Sequence, residues 1–107
     1  MKRNKYGAIR TTVDGHTFHS KREAARYGEL KLLERAGRIR TLRLQPRFPL
    51  IVEGMMICTY VADFQYNEKV GEKWNFVVED VKGIRTSTYK IKRALLLAKR
   101  RIKIRET

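Results

Sequence analysis

Two stretches of the chain carry the strand pattern most clearly. The run I-C-T-Y-V-A-D-F-Q-Y from Ile57 to Tyr66 and the run W-N-F-V-V-E-D-V from Trp74 to Val81 are rich in the β-branched and aromatic residues that suit a pleated, half-buried surface. Both are predicted strands. Between them lies N-E-K-V-G-E-K, in which Gly71-Glu72 fits a two-residue turn with glycine at its first central position. With Val70 opposite Lys73, counting back along both strands sets Phe64 opposite Glu79 and Asp63 opposite Asp80. Side chains alternate along a strand, so Lys82 shares the face of Asp80 while Glu79 points the other way.

Other elements follow from their own signals. The segment T-T-V-D-G-H-T-F-H holds an Asp14-Gly15 pair and predicts a small two-stranded hairpin. Ser20-Lys21-Arg22-Glu23 reads as a capping box. The helix it opens carries Ala24, Tyr27, Leu30, Leu33 and Ala36 near helical spacing until Gly37 stops it. The segments I-R-T-L-R-L and F-P-L-I-V-E read as extended, with both prolines at strand edges or starts and Gly54 turning the chain toward Ile57. A second helix is expected to begin near Ser87 and to bury Ile91, Ala94, Leu95 and Ala98, and I-K-I-R forms the last strand. The expected architecture is one α/β domain over residues 1–107, with residues 1–10 as a basic arm.

Size and composition agree with a folded core. A chain of 107 residues, 42% of them apolar, buries roughly 65% of its unfolded surface without needing disulfides. Cys58 is the single cysteine, so no internal disulfide forms, and its apolar strand predicts a buried structural thiol. The charge is more informative. Lys and Arg number 25 against 11 Asp and Glu, a formal net charge of +14, and such a field favours polyanionic partners. No apolar run approaches a membrane span and the basic N-terminus does not read as a signal peptide, so the expected location is cytoplasmic.

Against that basic background, two facing carboxylates are unexpected. Directly paired residues have Cβ atoms about 4.5–5.5 Å apart, and like charges so placed destabilise a sheet. A divalent cation shared by Asp63 and Asp80, with Lys82 alongside, would resolve the repulsion. A surface ion pair between Asp80 and Lys82 is the plainer alternative. Glu23 has two roles open to it, a helix cap or a third carboxylate for the metal, and Glu29 could supply that group from further along the helix. For nucleic acid, the candidate contacts are Lys90, Lys92, Arg93, Arg100 and Arg101 on the second helix and just beyond it. Lys99, Lys103 and Arg105, Lys2, Arg3, Lys5 and Arg10 of the arm, and Lys21 and Arg22 join them.

Other candidate sites are weaker. His16 and His19 lack the further ligands of a zinc site, and no Gly-rich phosphate loop ending in Lys-Ser or Lys-Thr occurs. Trp74, Tyr60, Phe64 and Tyr66 fall at strand spacing and read as core. The exposed aromatics of a single-strand reader are therefore not expected.

The order of Glu23 in S-K-R-E-A, Asp63 in Y-V-A-D-F and D-V-K-G at the end of the next strand resembles the PD-(D/E)XK nuclease superfamily. Together with L-K-L-L-E-R-A-G and L-Q-P-R-F, these motifs resemble a group of small bacteriophage proteins assigned to it, over about Tyr6 to Glu106. One departure is Ala62, which stands where the motif has proline. The resemblance implies a restriction-endonuclease-like core, a central mixed β-sheet flanked by two helices, with Glu23, Asp63, Asp80 and Lys82 as catalytic positions. It implies Mg²⁺ or Mn²⁺ as cofactor, held by Asp63, Asp80 and Glu23.

The expected function is a metal-dependent DNA endonuclease in phage DNA metabolism, selective for branched, flap or junction DNA because so small a chain has little surface for reading sequence. A homodimer and phage or host replication or recombination proteins are the partners to consider, in the host cytoplasm. The alternative is a non-catalytic nucleic-acid-binding module built on an inactive nuclease fold, with a basic RNA-binding protein ranked behind it.

Overall fold

In a computed structural model that describes residues 10–82 and 84–107, Asp14 and Gly15 both take positive φ, 51° and 77°, as a type I′ turn requires. The turn joins β1 (Thr11–Val13) to β2 (His16–Phe18), an antiparallel hairpin. Lys2, Arg3 and Lys5 of the basic arm, and Gly83 of D-V-K-G, lie outside the described residues.

The hairpin and α1 (Lys21–Arg35) belong to one unit, Met1–Ile39. Ser20 caps α1, its hydroxyl accepting the Glu23 N–H at 3.1 Å, which satisfies one of the donors a helix start leaves open. At the other end Gly37 takes φ 74°, and the Arg38 N–H returns to the Leu33 carbonyl, closing the helix as its sequence predicts. Within this unit Tyr27 packs on Phe18, ring centroids 5.1 Å apart, and on His16 at 5.8 Å. Its hydroxyl donates to Asp14 Oδ2 at 3.1 Å, so the hairpin is tied to the helix.

The second unit, Arg40–Thr107, holds nearly all of β3 (Ile39–Leu44), then β4 (Arg47–Val52), β5 (Met55–Val61), β6 (Phe64–Val70), β7 (Lys73–Asp80), α2 (Ser87–Arg100) and β8 (Arg105–Glu106). Four of these strands form a mixed sheet in the order β3-β6-β7-β8, antiparallel between β6 and β7 and parallel between β7 and β8. The described residues thus form an α/β protein with two helices, a mixed four-stranded sheet and an N-terminal hairpin. Among the described residues no helix is long and apolar enough to cross a membrane.

Register follows the turn. Gly71 takes φ 63°, Val70 pairs with Lys73, and Phe64 pairs with Glu79, as the spacing predicts. The single strand expected from Ile57 to Tyr66 is, however, two strands broken at Ala62-Asp63. There the chain changes partners. The Ala62 N–H donates to the Pro46 carbonyl at 3.1 Å, whereas the Asp63 N–H donates to the Glu79 carbonyl at 3.2 Å. β5 accordingly pairs with β4 in a separate two-stranded ribbon, and β6 pairs with β7 in the main sheet. A change of partner leaves the apolar run unaltered, so composition does not reveal it.

The core of this unit joins Phe48 and Leu50 of β4, Tyr60 of β5, Ala62, Val78 of β7, Tyr89 and Leu96 of α2, and Ile104. Leu50 and Leu96 are wholly buried, and each such side chain contributes about 1.5–3 kcal/mol by leaving water. The free thiol Cys58 is half-buried against this cluster. The face of α2 differs from the expected one. Ile91 is 62% exposed, Ala94 and Ala98 are exposed and Leu95 is half-buried, while Tyr89 and Leu96 turn inward. The larger aromatic side chain fills the core and also finds a half-buried partner for its hydroxyl, Glu106 Oε2 at 2.6 Å, an option open to none of the aliphatic side chains. The last strand also lies later than I-K-I-R, at Arg105–Glu106, with Ile104 buried before it.

Gly71→Ala keeps free space around the new Cβ but forces an L side chain into the left-handed region. It is expected to lower unfolding free energy by about 1–2 kcal/mol, measured by urea titration. No loss would mean that the turn does not hold the β6–β7 register.

Candidate functional site

Asp63 and Asp80 meet where β6 begins and β7 ends, and each carboxylate is gripped by the backbone of the other's strand. The Asp63 N–H donates to Asp80 Oδ1 at 2.9 Å. The Val81 N–H donates to Asp63 Oδ2 at 2.8 Å. Charge-assisted hydrogen bonds of this kind hold a carboxylate more firmly than neutral ones, so the two side chains are fixed relative to each other.

Asp80 is almost wholly buried, 1% exposed, and its Oδ2 has no hydrogen-bond partner among the described residues. The nearest cation is Lys82, whose Nζ lies 3.6 Å from that oxygen. Burial pushes the Asp80 carboxyl up to about 6, against the opposing pull of Lys82 and the Asp63 N–H. The Lys82 ammonium also lies 4.1 Å from the centre of the Tyr89 ring, a favourable cation–π contact.

Behind Lys82 stands a second group of residues that sequence reasoning misses. Glu106 pairs with Asp80 in the parallel β7–β8 register. It accepts from the Tyr89 hydroxyl at 2.6 Å, from Arg93 at 3.0 Å and from Arg85 at 3.2 Å. The Tyr89 bond first, then the two arginines, holds the Glu106 carboxyl below its usual range. Burial, and then the bond to Glu106, pushes the Tyr89 phenol well above its own. The signal that could have found Tyr89 is its spacing with Leu96 on α2; the pairing of Glu106 with Asp80 has no local signal, because a parallel partner comes from beyond a crossover.

The structure brings Asp63, Asp80 and Lys82 together. Glu23 lies in the other unit, at the third position of α1, where it is buried. Lys21 and Arg22 are exposed at the start of the same helix. Of the cations assigned to nucleic acid on α2, Lys90 is exposed. Lys92 donates to the Thr59 carbonyl at 3.1 Å, Arg100 to the Pro49 carbonyl at 2.9 Å, and Arg93 to Glu106. Those three hold α2 to the β4–β5 ribbon and to β8. Arg101 is the exposed C-cap of the helix.

Among the described residues no group of three or more His, Cys, Asp or Glu side chains is gathered as a metal cage. The residues present nonetheless fit a magnesium-type ion, which binds through one or two carboxylates and takes its remaining ligands from water and phosphate. The buried Asp80 Oδ2 without a hydrogen-bond donor is the atom such an ion would satisfy, with Asp63 the neighbouring hard oxygen donor.

Residues 3–106 match the model of one protein family, described as Protein of unknown function (DUF1064). No curated protein and no solved structure matches the chain.

The raised pKa of Asp80 has a thermodynamic consequence. Because the folded state holds this proton up to about pH 6 while the unfolded state releases it near 3.8, stability is lost as pH rises between those values. The loss is on the order of 2–3 kcal/mol and absent below both. The difference in unfolding free energy between Asp80→Asn and wild type, without metal, should therefore move toward the variant by that amount between pH 4 and pH 7. Mg²⁺ or Mn²⁺ should raise the melting temperature of wild type and not of the variant. A difference independent of pH would mean that Asp80 is well solvated, and no metal shift would remove the ion.

Proposed function

We propose that the chain, which belongs to the DUF1064 family of proteins of unknown function, is a metal-dependent DNA endonuclease that hydrolyses phosphodiester bonds. The observation that carries this reading is the Asp80 carboxylate, buried with one oxygen lacking a hydrogen bond, beside Lys82 and locked to Asp63. Supporting it are the resemblance of Y-V-A-D-F and E-D-V-K-G to the PD-(D/E)XK pattern and the net charge of +14.

A divalent ion bound there would polarise a scissile phosphate and lower the pKa of a coordinated water. The chain's own residues supply the rest. Asp63 and Asp80, preorganised by backbone N–H groups, present oxygens whose positions need no rearrangement during the reaction. Lys82, steadied between Asp80 and the Tyr89 ring, places a fixed positive charge where the phosphate gains negative charge. Its ammonium can also orient the attacking water. Exposed cations such as Lys90 and Arg101 would contact phosphates without reading bases. Glu23 is a third carboxylate in this proposal, carried over from the motif alone.

The test is cleavage of labelled linear duplex, single-stranded, flap and four-way-junction DNA, each with Mg²⁺, Mn²⁺ or chelator. Cutting is expected with either metal and none with chelator, falling at least about 100-fold in Asp63→Ala, Asp80→Ala and Lys82→Ala. Branched substrates should be cut ahead of linear duplex. Salt-sensitive binding without cutting under every condition would replace this reading with a non-catalytic binding module; undiminished cutting by the variants would move the active site elsewhere.

A further inference from the structure

The sheet face that holds Asp80 continues outward into an exposed aromatic strip. Alternation along β7 puts Trp74, Phe76, Val78 and Asp80 on one face. The β6–β7 register sets Lys69 opposite Trp74, Asn67 opposite Phe76 and Gln65 opposite Val78, so those three share it. The opposite face is accounted for separately. There Tyr66 donates to Glu79 at 2.6 Å and Arg105 donates to Glu68. Val78 is buried, but beyond it the strip is open. Phe76 is 52% exposed, Trp74 is half-buried, and the Arg40 guanidinium lies 4.0 Å from the Trp74 ring centre.

We propose that this strip, Phe76 and Trp74 with Arg40, Lys69, Asn67 and Gln65, is a stacking platform for unpaired nucleotides of single-stranded DNA leading to the carboxylate site. Base stacking on aromatic side chains tolerates any sequence, because every base has a π face. Arg40 and Lys69 supply the cations that a phosphate backbone needs beside such stacking, and an arginine already lying on an indole presents a ready second stacking surface. Of the two amides, Asn67 stands beside Phe76 and Gln65 beside Val78, between the aromatics and the carboxylates. At about 3.3 Å per residue, Phe76 stands roughly 13 Å and Trp74 roughly 20 Å along the strand from Asp80, a reach of a few nucleotides. The net charge of +14 matches this occupant. The platform rests on the endonuclease reading for its substrate, and it explains how so small a chain would prefer DNA with an unpaired arm.

Trp74 is the single tryptophan, so its fluorescence reports the site directly. In chelator, a short oligo(dT) should quench that emission, and a blunt duplex should not. Phe76→Ala should weaken oligo(dT) binding by about 5-fold or more, change duplex binding less than 2-fold and leave the melting temperature unaltered, since the side chain is half exposed; Phe76→Tyr should restore affinity. Equal losses on both DNAs, unchanged oligo(dT) affinity, or an unquenched Trp74 would overturn the platform. Tighter binding of the matching RNA would overturn its assignment to DNA. Cleavage with Mg²⁺ is scored separately. Metal-dependent cutting with no effect of Phe76 ends the platform and leaves the nuclease; Phe76-dependent binding without cutting ends the nuclease and leaves the platform.

Discussion

Much of the second unit depends on the reciprocal clasp of Asp63 and Asp80, in which each side chain bonds a backbone N–H of the other strand. Two carboxylates facing each other across an antiparallel pair repel, and that repulsion would by itself favour a slipped register. The clasp converts the same pair into a register lock: a slip of one residue would put the two carboxylates on opposite faces of the sheet and remove both hydrogen bonds. It also marks the place where the chain leaves the β4–β5 ribbon and enters the main sheet. Structural continuity and the placing of two carboxylates side by side are therefore achieved by the same atoms.

The neighbouring residue gives the measure of how unusual Asp80 is. Glu79 is as deeply buried, yet its two carboxylate oxygens accept from the Tyr66 hydroxyl at 2.6 Å and the Thr107 hydroxyl at 3.0 Å. Burial followed by that bond pushes the Tyr66 phenol up to about 12. The fold thus has the means to satisfy a buried carboxylate, and one residue further along it leaves Asp80 Oδ2 without a hydrogen bond. An unsatisfied buried oxygen costs roughly 1–3 kcal/mol, more when charged. Local rules are met next door and broken here, and the ion of the proposed reading would account for the difference.

Legibility in the sequence divides along the same physical line. Features set by local chemistry were readable: the Asp14-Gly15 hairpin, the Ser20 cap, the Gly37 stop, and the Gly71 turn with the register it imposes. Features set by partners distant in sequence were not. The break at Ala62-Asp63 leaves no compositional trace, since the apolar run continues through the change of partner. The inward face of α2 is not legible because Ile91 and Ala94 compete with Tyr89 and Leu96 for the core, and the bond that Tyr89 gains from Glu106 is made to a residue distant in sequence. Phe76 was overlooked because an aromatic in a strand reads as core until the sheet's covering ends before it.

Charge, finally, is not the same as grip. A net charge of +14 acts at long range whatever its side chains touch, and so raises the local concentration of polyanions. Contact is another matter. Lys92, Arg93 and Arg100 spend their hydrogen bonds on Thr59, Glu106 and Pro49, so the basic helix is in part a brace for the ribbon and for the Tyr89 ring beneath Lys82. In the proposed reading, displacing those bonds to reach a phosphate would loosen the support of the very site where that phosphate would bind. Steering by the whole field, with close contact left to exposed cations and to the aromatic strip, avoids that conflict.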